Sequence, residues 1–310
     1  MKKILFILLF FPLFTYSQSG SKVFVSGSGW LQVALIDKGT KQIEWSYDLN
    51  ATDDCETVSL TTEGYILISY KSGAKLIDKH KKIIWDYPLE SKGELFSAIQ
   101  LNDGGYLLAH SGSPAKLIEL DRKGKVRKTL TFDTEVTNLH GQFRQVIKTK
   151  QGTYLIPIMS KGEVVELDKK GKEILRFKVE GNPFSVLELK NGHLLVSCGD
   201  AHCAIEVERH TGTFVRKIDR TDVEGIRFNF IAQIAELNNG NLLICNWNGH
   251  VRGEEAKQPT LVEIDQQNRL IRQWNEGDGI GRISCMYPVE DTKRWSKFIT
   301  GCVSLSSVIK

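Results

Sequence analysis

One phrase recurs six times along this chain of 310 residues, and it limits the folds open to it. An apolar pair precedes an acidic residue, a short basic or glycine turn follows, and a β-branched, often aromatic run completes the phrase. It reads Leu35-Ile36-Asp37 to Trp45, Leu76-Ile77-Asp78 to Trp85, and Glu119-Leu120-Asp121 through Gly124-Lys125 to Phe132. It returns as Glu166-Leu167-Asp168 through Gly171-Lys172 to Phe177, more weakly as Glu206-Val207-Glu208 to Val215, and as Glu263-Ile264-Asp265 to Trp274. Short apolar runs broken by turn residues are strand and hairpin chemistry, and no stretch pairs sustained helical periodicity with caps.

A second phrase precedes each acidic turn: a strand, a glycine turn and another strand. Its glycines, Gly64, Gly104, Gly152, Gly192 and Gly240, stand 40, 48, 40 and 48 residues apart. Together the two phrases give four strands per unit, a to d, at the period of β-propeller blades. In the second unit the strands fall near 56–61, 65–69, 74–78 and 83–87. The first unit begins at strand b (Val23 to Ser26) and lacks strand a, while Ile283 to Val289 near the other end resembles a strand a without a blade. Joining the two closes a ring of six blades and hides its edges. Phe298 to Val303 then reads as a surplus strand b, which keeps seven blades as an alternative.

The Asp-x-x-Gly-Lys turn followed by an apolar and aromatic run resembles the pyrroloquinoline-quinone-like (PQQ-like) propeller repeat, and more broadly the six-bladed propellers secreted by bacteria. The resemblance covers about Val23 to Trp274 and implies an all-β fold; it says little about activity. The quinone enzymes with such repeats have eight blades and a set of calcium and quinone ligands with no counterpart here, so no cofactor is expected.

Lys2-Lys3, the apolar run Ile4 to Phe14 and the small or polar residues Ser17-Gln18-Ser19 read as a secretory leader over residues 1–17, with an N-terminal anchor helix as the alternative. The expectation is a single propeller domain over residues 18–310, periplasmic or secreted, with no membrane span once the leader is removed. With 41 Lys+Arg and 37 Asp+Glu the formal charge is +4, and no basic cluster suggests nucleic acid as a partner. The six cysteines all lie beyond the leader. Cys198 and Cys203 flank a short loop and could bridge its base; buried thiols are the other reading.

In such a propeller the a–b and c–d turns share one face, and the b–c and d–a connections share the other. The first set is uniform, including Asn191-Gly192, Asn239-Gly240 and the acidic turns, and reads as structural. The second set is irregular: Asn138 to Arg144 before the fourth blade, Cys198 to Cys203 in the fifth, and Asn246 to Gly253 in the sixth. Loops on a rigid scaffold are where binding and catalysis concentrate. Counting back eight residues from each a–b glycine gives Glu56, Phe96, Arg144, Phe184 and Ala232, a ring at the channel mouth with two charged members.

Candidate ligand-binding residues are therefore Glu56, His140, Arg144, Asp200, His202, Trp247, Asn248, His250 and Arg252. Each has a structural alternative. The histidines can bond loop backbone, Glu56 and Arg144 can neutralise each other, and Trp247 can plug a blade end or stack on a flat ligand. The histidines lack metal-ligand spacing, so no metal is expected. The leading expectation is a propeller that binds a carbohydrate, a small molecule or an envelope protein on this face. The alternative, by resemblance to propeller lyases, lactonases and arylsulfotransferases, is an enzyme with a histidine acid or base and Arg144 stabilising negative charge.

Overall fold

The computed structural model describes residues 21–89 and 92–301; the expected leader lies outside them. Six four-stranded antiparallel sheets stand in a ring, one for each repeat of the acidic phrase. Blade 1 is completed by the C-terminal strand Cys285–Val289, which pairs antiparallel with Lys22–Gly27 from the start of the described chain. The expected six-bladed, all-β ring is the observed one, and seven blades are ruled out.

The surplus strand b is a helix. Thr292–Thr300 forms an α-helix whose N-cap, Asp291, accepts hydrogen bonds from the backbone N–H groups of Lys293 and Arg294. Its Trp295 and Phe298, three residues apart, are buried at the seam of blades 1 and 2, where Phe298 meets Phe24 and Trp45 edge-on. One helical pair in a nine-residue element is too short a pattern to outweigh an aromatic, β-branched composition. Residues 302 and 303 lie outside the described part.

The core is divided among the blades. Six clusters of buried apolar side chains fill the six seams, as Val23, Val25, Ala232 and Cys245 do between blades 6 and 1. Strands b and c are buried almost throughout, whereas outer strands such as Glu173–Lys178 are largely exposed. A blade alone cannot bury its faces, so the ring stands or falls as a unit.

The acidic turns do what tight turns require. In Asp78, Asp121, Asp168 and Asp265, Oδ1 accepts two backbone N–H groups from the residues two and four positions on. Two residues before these turns, buried glutamates join blades: Arg209 of blade 5 grips Glu166 of blade 4 with bonds of 2.5 and 2.6 Å. Lys38 of blade 1 lies 3.8 Å from Glu263 of blade 6, across the closure. The five described cysteines are buried free thiols; Cys198 and Cys203 sit side by side, and Cys55 Sγ lies 3.9 Å from Cys285 Sγ.

Candidate functional site

A pocket of ≈ 270 Å³ opens where the central channel meets the irregular face. Glu56, His140, Arg144, Asp200, Trp247 and His250 line it, together with Phe184 of the expected ring. A polar cluster lies behind Glu56, lining a separate cavity. Gln145 donates to the carbonyl of Glu56 and, at 3.2 Å, to Oε1 of Gln233, which also accepts Met286 N–H.

Strand a delivers the ring residues through bulges. Between Cys55 and Thr57, and again between Leu95 and Ser97, the register shifts by one, so Glu56 and Phe96 leave the ladder. Arg144 is held on every side. Nη1 donates to the carbonyls of His140 and Phe143, at 2.5 and 3.0 Å, Nη2 donates to His140 Nε2 at 2.8 Å, and the guanidinium lies 3.8 Å above the Phe96 ring. Because His140 Nε2 accepts, its Nδ1 carries the proton given to Glu94 at 2.9 Å. Lys71 reaches the other Glu94 oxygen at 2.6 Å. Burial pushes the Glu94 carboxyl up, but the Lys71 and His140 hydrogen bonds outweigh it and leave it below its ordinary range.

Glu56 has no such company. It is 2% exposed, its nearest cationic atom is Arg144 Nε at 3.7 Å, and neither carboxyl oxygen has a hydrogen bond among the described residues. Burial raises its pKa to about 8, against the pull of Arg144 and with added repulsion from Asp54 and Glu94. Burial likewise lowers Arg144 from its usual value, opposed by Glu56. The two are neighbours without being a well-formed ion pair.

The opposite wall is aromatic. Trp247 lies 5.6 Å from Phe230 and 4.7 Å from His250, both edge-on, and Phe184 meets Phe230 at 5.5 Å. The Trp247 indole N–H donates to the Ser28 carbonyl of blade 1 at 2.9 Å, so the side chain is positioned as wall, not as a free flap. His250 Nδ1 meets Asp200 Oδ1 at 2.7 Å, which joins the loops of blades 5 and 6.

Three expected residues stand outside the pocket. Asn248 is fully buried, accepts from Asn229 and donates to the Gln258 carbonyl, so it builds the long loop. His202 sits at φ 59° and its Nδ1 contacts the Asn229 carbonyl. Arg252 donates to the carbonyls of Gly249 and Val251 in its own loop. Sequence reasoning in turn missed Ser28, Asp54, Ser160, Asn182, Phe230 and Ser284. Ser28 and Ser160 follow strands b, and Asp54, Asn182, Phe230 and Ser284 precede strands a. The available signal was topological: every b–c and d–a connection points at the same mouth, whether or not it looks unusual. Among the described residues, no group of three His, Cys, Asp or Glu is placed to hold a metal ion.

Comparison with known proteins places this geometry. A Bacteroides caccae protein of unknown function is 39% identical, with a TM-score of 0.83 over 87% of this chain and 99% of its own. A streptogramin B lyase shares the fold at 11% identity, TM-score 0.59, over 82% of this chain and 79% of its own. So does a catalytically inactive histidine-to-alanine variant of virginiamycin B lyase from Staphylococcus aureus, solved with quinupristin: 10% identity, TM-score 0.56, over 82% and 85%. No curated protein matches the sequence. The model of the Mal s 1 allergenic protein-like family matches residues 16–269, and the chain belongs to that family.

Proposed function

We propose that this propeller binds a small ligand in the pocket at the channel mouth and works outside the cytoplasm, as its leader-like N-terminus suggests. The observation that carries the reading is the convergence, in one pocket of ≈ 270 Å³, of the under-bonded Glu56 with an aromatic wall from other blades. Apolar walls with a few convergent polar groups are what small-molecule sites have in common. The volume and concavity favour a small molecule or one sugar unit over the face of an envelope protein. The PQQ-like character of the repeat concerns turns on the far face, so it brings no quinone with it.

The test is a thermal-shift screen of sugars and small metabolites against the full chain, repeated with Trp247→Ala. A binder raises the melting temperature by mass action. Stabilisation that persists undiminished in Trp247→Ala places binding elsewhere and defeats the reading.

A second reading, catalysis, is favoured by one arrangement. With Nδ1 engaged by Asp200, His250 keeps Nε2 without a hydrogen-bond partner among the described residues, as a general base needs. The lyase neighbours share only the fold, yet one was trapped by replacing a histidine. Arg144 commits three of its five N–H groups to His140 and Phe143 and turns Nε toward Glu56, which leaves a single Nη2 N–H for an oxyanion. For any binder found, product analysis by mass spectrometry separates the readings: His250→Ala that keeps binding and loses turnover supports catalysis, and absence of turnover in the wild type ends it.

A further inference from the structure

We infer that the pocket takes an organic cation, an ammonium group on a flat apolar body, seated against Glu56 and walled by Phe184, Phe230 and Trp247. This rests on the small-ligand reading above and names the ligand's chemical class.

The charge around the pocket is lopsided. Glu56, Asp54 and Asp200 face one permanently charged cation, Arg144. An anionic ligand would need donors, and Arg144 has one at most: both Nη1 N–H groups and one on Nη2 are bonded to His140 and Phe143, Nε faces Glu56, and Phe96 covers one face of the guanidinium, which leaves a single Nη2 N–H. The carboxylates lie the other way. Asp54 receives only neutral donors, Ser28 Oγ at 3.1 Å and Gly29 N–H at 3.2 Å. Asp200 has His250 at 2.7 Å. Glu56 is buried and lines the pocket with no hydrogen bond among the described residues, a carboxyl that an incoming N–H could reach and bond.

The walls fit the same guest. Aromatic faces attract cations, and more strongly once water is excluded. Phe230 and Trp247 stand edge-to-face beside the carboxylates, an acidic floor with an aromatic rim.

The groups facing Glu56 are Arg144 and Lys71, which favour its charge, and Asp54 and Glu94, which oppose it, with the Cys55 and Cys285 thiols beside it. Burial holds its pKa at about 8, so near neutral pH the free protein keeps the proton. A cation favours the ionised carboxyl and expels that proton. Affinity for a permanent cation therefore rises with pH up to about 8 and levels above it. A neutral ligand accepting the Glu56 proton shows the opposite slope.

The experiment titrates the full chain with benzylammonium, benzyltrimethylammonium, benzyl alcohol and benzoate, four probes with one aromatic body and three charge states. Binding is read from the Trp247 indole N–H resonance, assigned with Trp247→Phe. Both cations are expected to bind about tenfold more tightly than the alcohol or benzoate. Benzyltrimethylammonium should gain up to about tenfold per pH unit between pH 6 and 8. Glu56→Gln should remove that slope and most of the preference for charge; Asp54→Asn, which keeps Glu56, should retain the slope and weaken the preference. If benzoate or benzyl alcohol binds as well as the cations, or the slope is flat or reversed, the cation assignment is overturned while the pocket reading stands. If neither these probes nor the sugar and metabolite set moves the indole resonance, both fall.

Discussion

The two faces of this ring treat their carboxyl groups differently. On the face of tight turns most carboxylates are provided for: Asp121 and Asp168 take two backbone N–H groups apiece, and Glu166 takes a two-point grip from Arg209, while Glu263 keeps one buried oxygen without a hydrogen bond, 3.8 Å from Lys38. On the irregular face Glu56 is as buried as Glu166 and has no hydrogen bond. Well-bonded carboxylates hold blades together, whereas an under-bonded carboxyl lining a cavity is open to a ligand. The difference separates scaffold from site with no reference to which residues look chemically interesting.

That contrast can be broken by mutation. The largest effect is expected at Glu166→Ala, which removes both short bonds to the Arg209 guanidinium and leaves it only Glu188, at 3.4 Å; urea unfolding should show a loss of roughly 3 kcal/mol. An unchanged midpoint would mean that the seam ion pairs are not what stiffens the ring.

Glu56→Gln should act in the reverse sense. Because the folded state raises the Glu56 pKa from 4.5 to about 8, wild-type stability from this group is intact below pH 4.5 and declines as pH rises toward 8. The glutamine variant lacks that decline, on the order of 1 kcal/mol per pH unit within the window. Parallel stability curves for the two proteins between pH 5 and 9 would remove the distinction between the faces.

A smaller change in stability and a larger one in binding are expected at Trp247→Ala. The variant loses the indole bond to Ser28 and the aromatic wall, so any ligand-induced thermal shift should vanish. The smallest effect belongs to Asp168→Ala, a solvent-exposed turn: a modest drop in melting temperature near neutral pH, with ligand binding untouched. Backbone N–H groups hold the Asp168 carboxyl below its ordinary range, so its stabilising effect is present above pH 3.8 and is lost in acid. A binding defect in this variant would show that the faces are coupled.

The strands of blade 2 illustrate how much was legible. The sequence reading of 56–61, 65–69, 74–78 and 83–87 meets observed strands Cys55–Leu60, Ile66–Tyr70, Gly73–Ile77 and Ile83–Pro88. Periodicity and turn chemistry are local, and repetition averages out error. The helix at Thr292–Thr300 escaped because it occurs once and its two buried aromatics are explained only by the seam they fill. At the site, the unusual residues Arg144, Asp200, Trp247 and His250 were visible as interruptions of the repeat. Asn248 and Arg252 interrupt it equally, and nothing local distinguishes a side chain that faces the pocket from one that braces the loop behind it.

By itself the sequence determined the four-stranded blade and pointed to six of them closed by a C-terminal strand, because these follow from short-range patterns multiplied along the chain; the structure removed the seven-bladed alternative. Only the tertiary structure decided which charges are satisfied. Hydrogen-bond partners arrive from distant residues, as Lys71 and His140 do on Glu94, or Arg209 on Glu166. Satisfaction is a property of three-dimensional neighbours, and on this ring it is what marks Glu56 off from Glu119, Glu166 and Glu206.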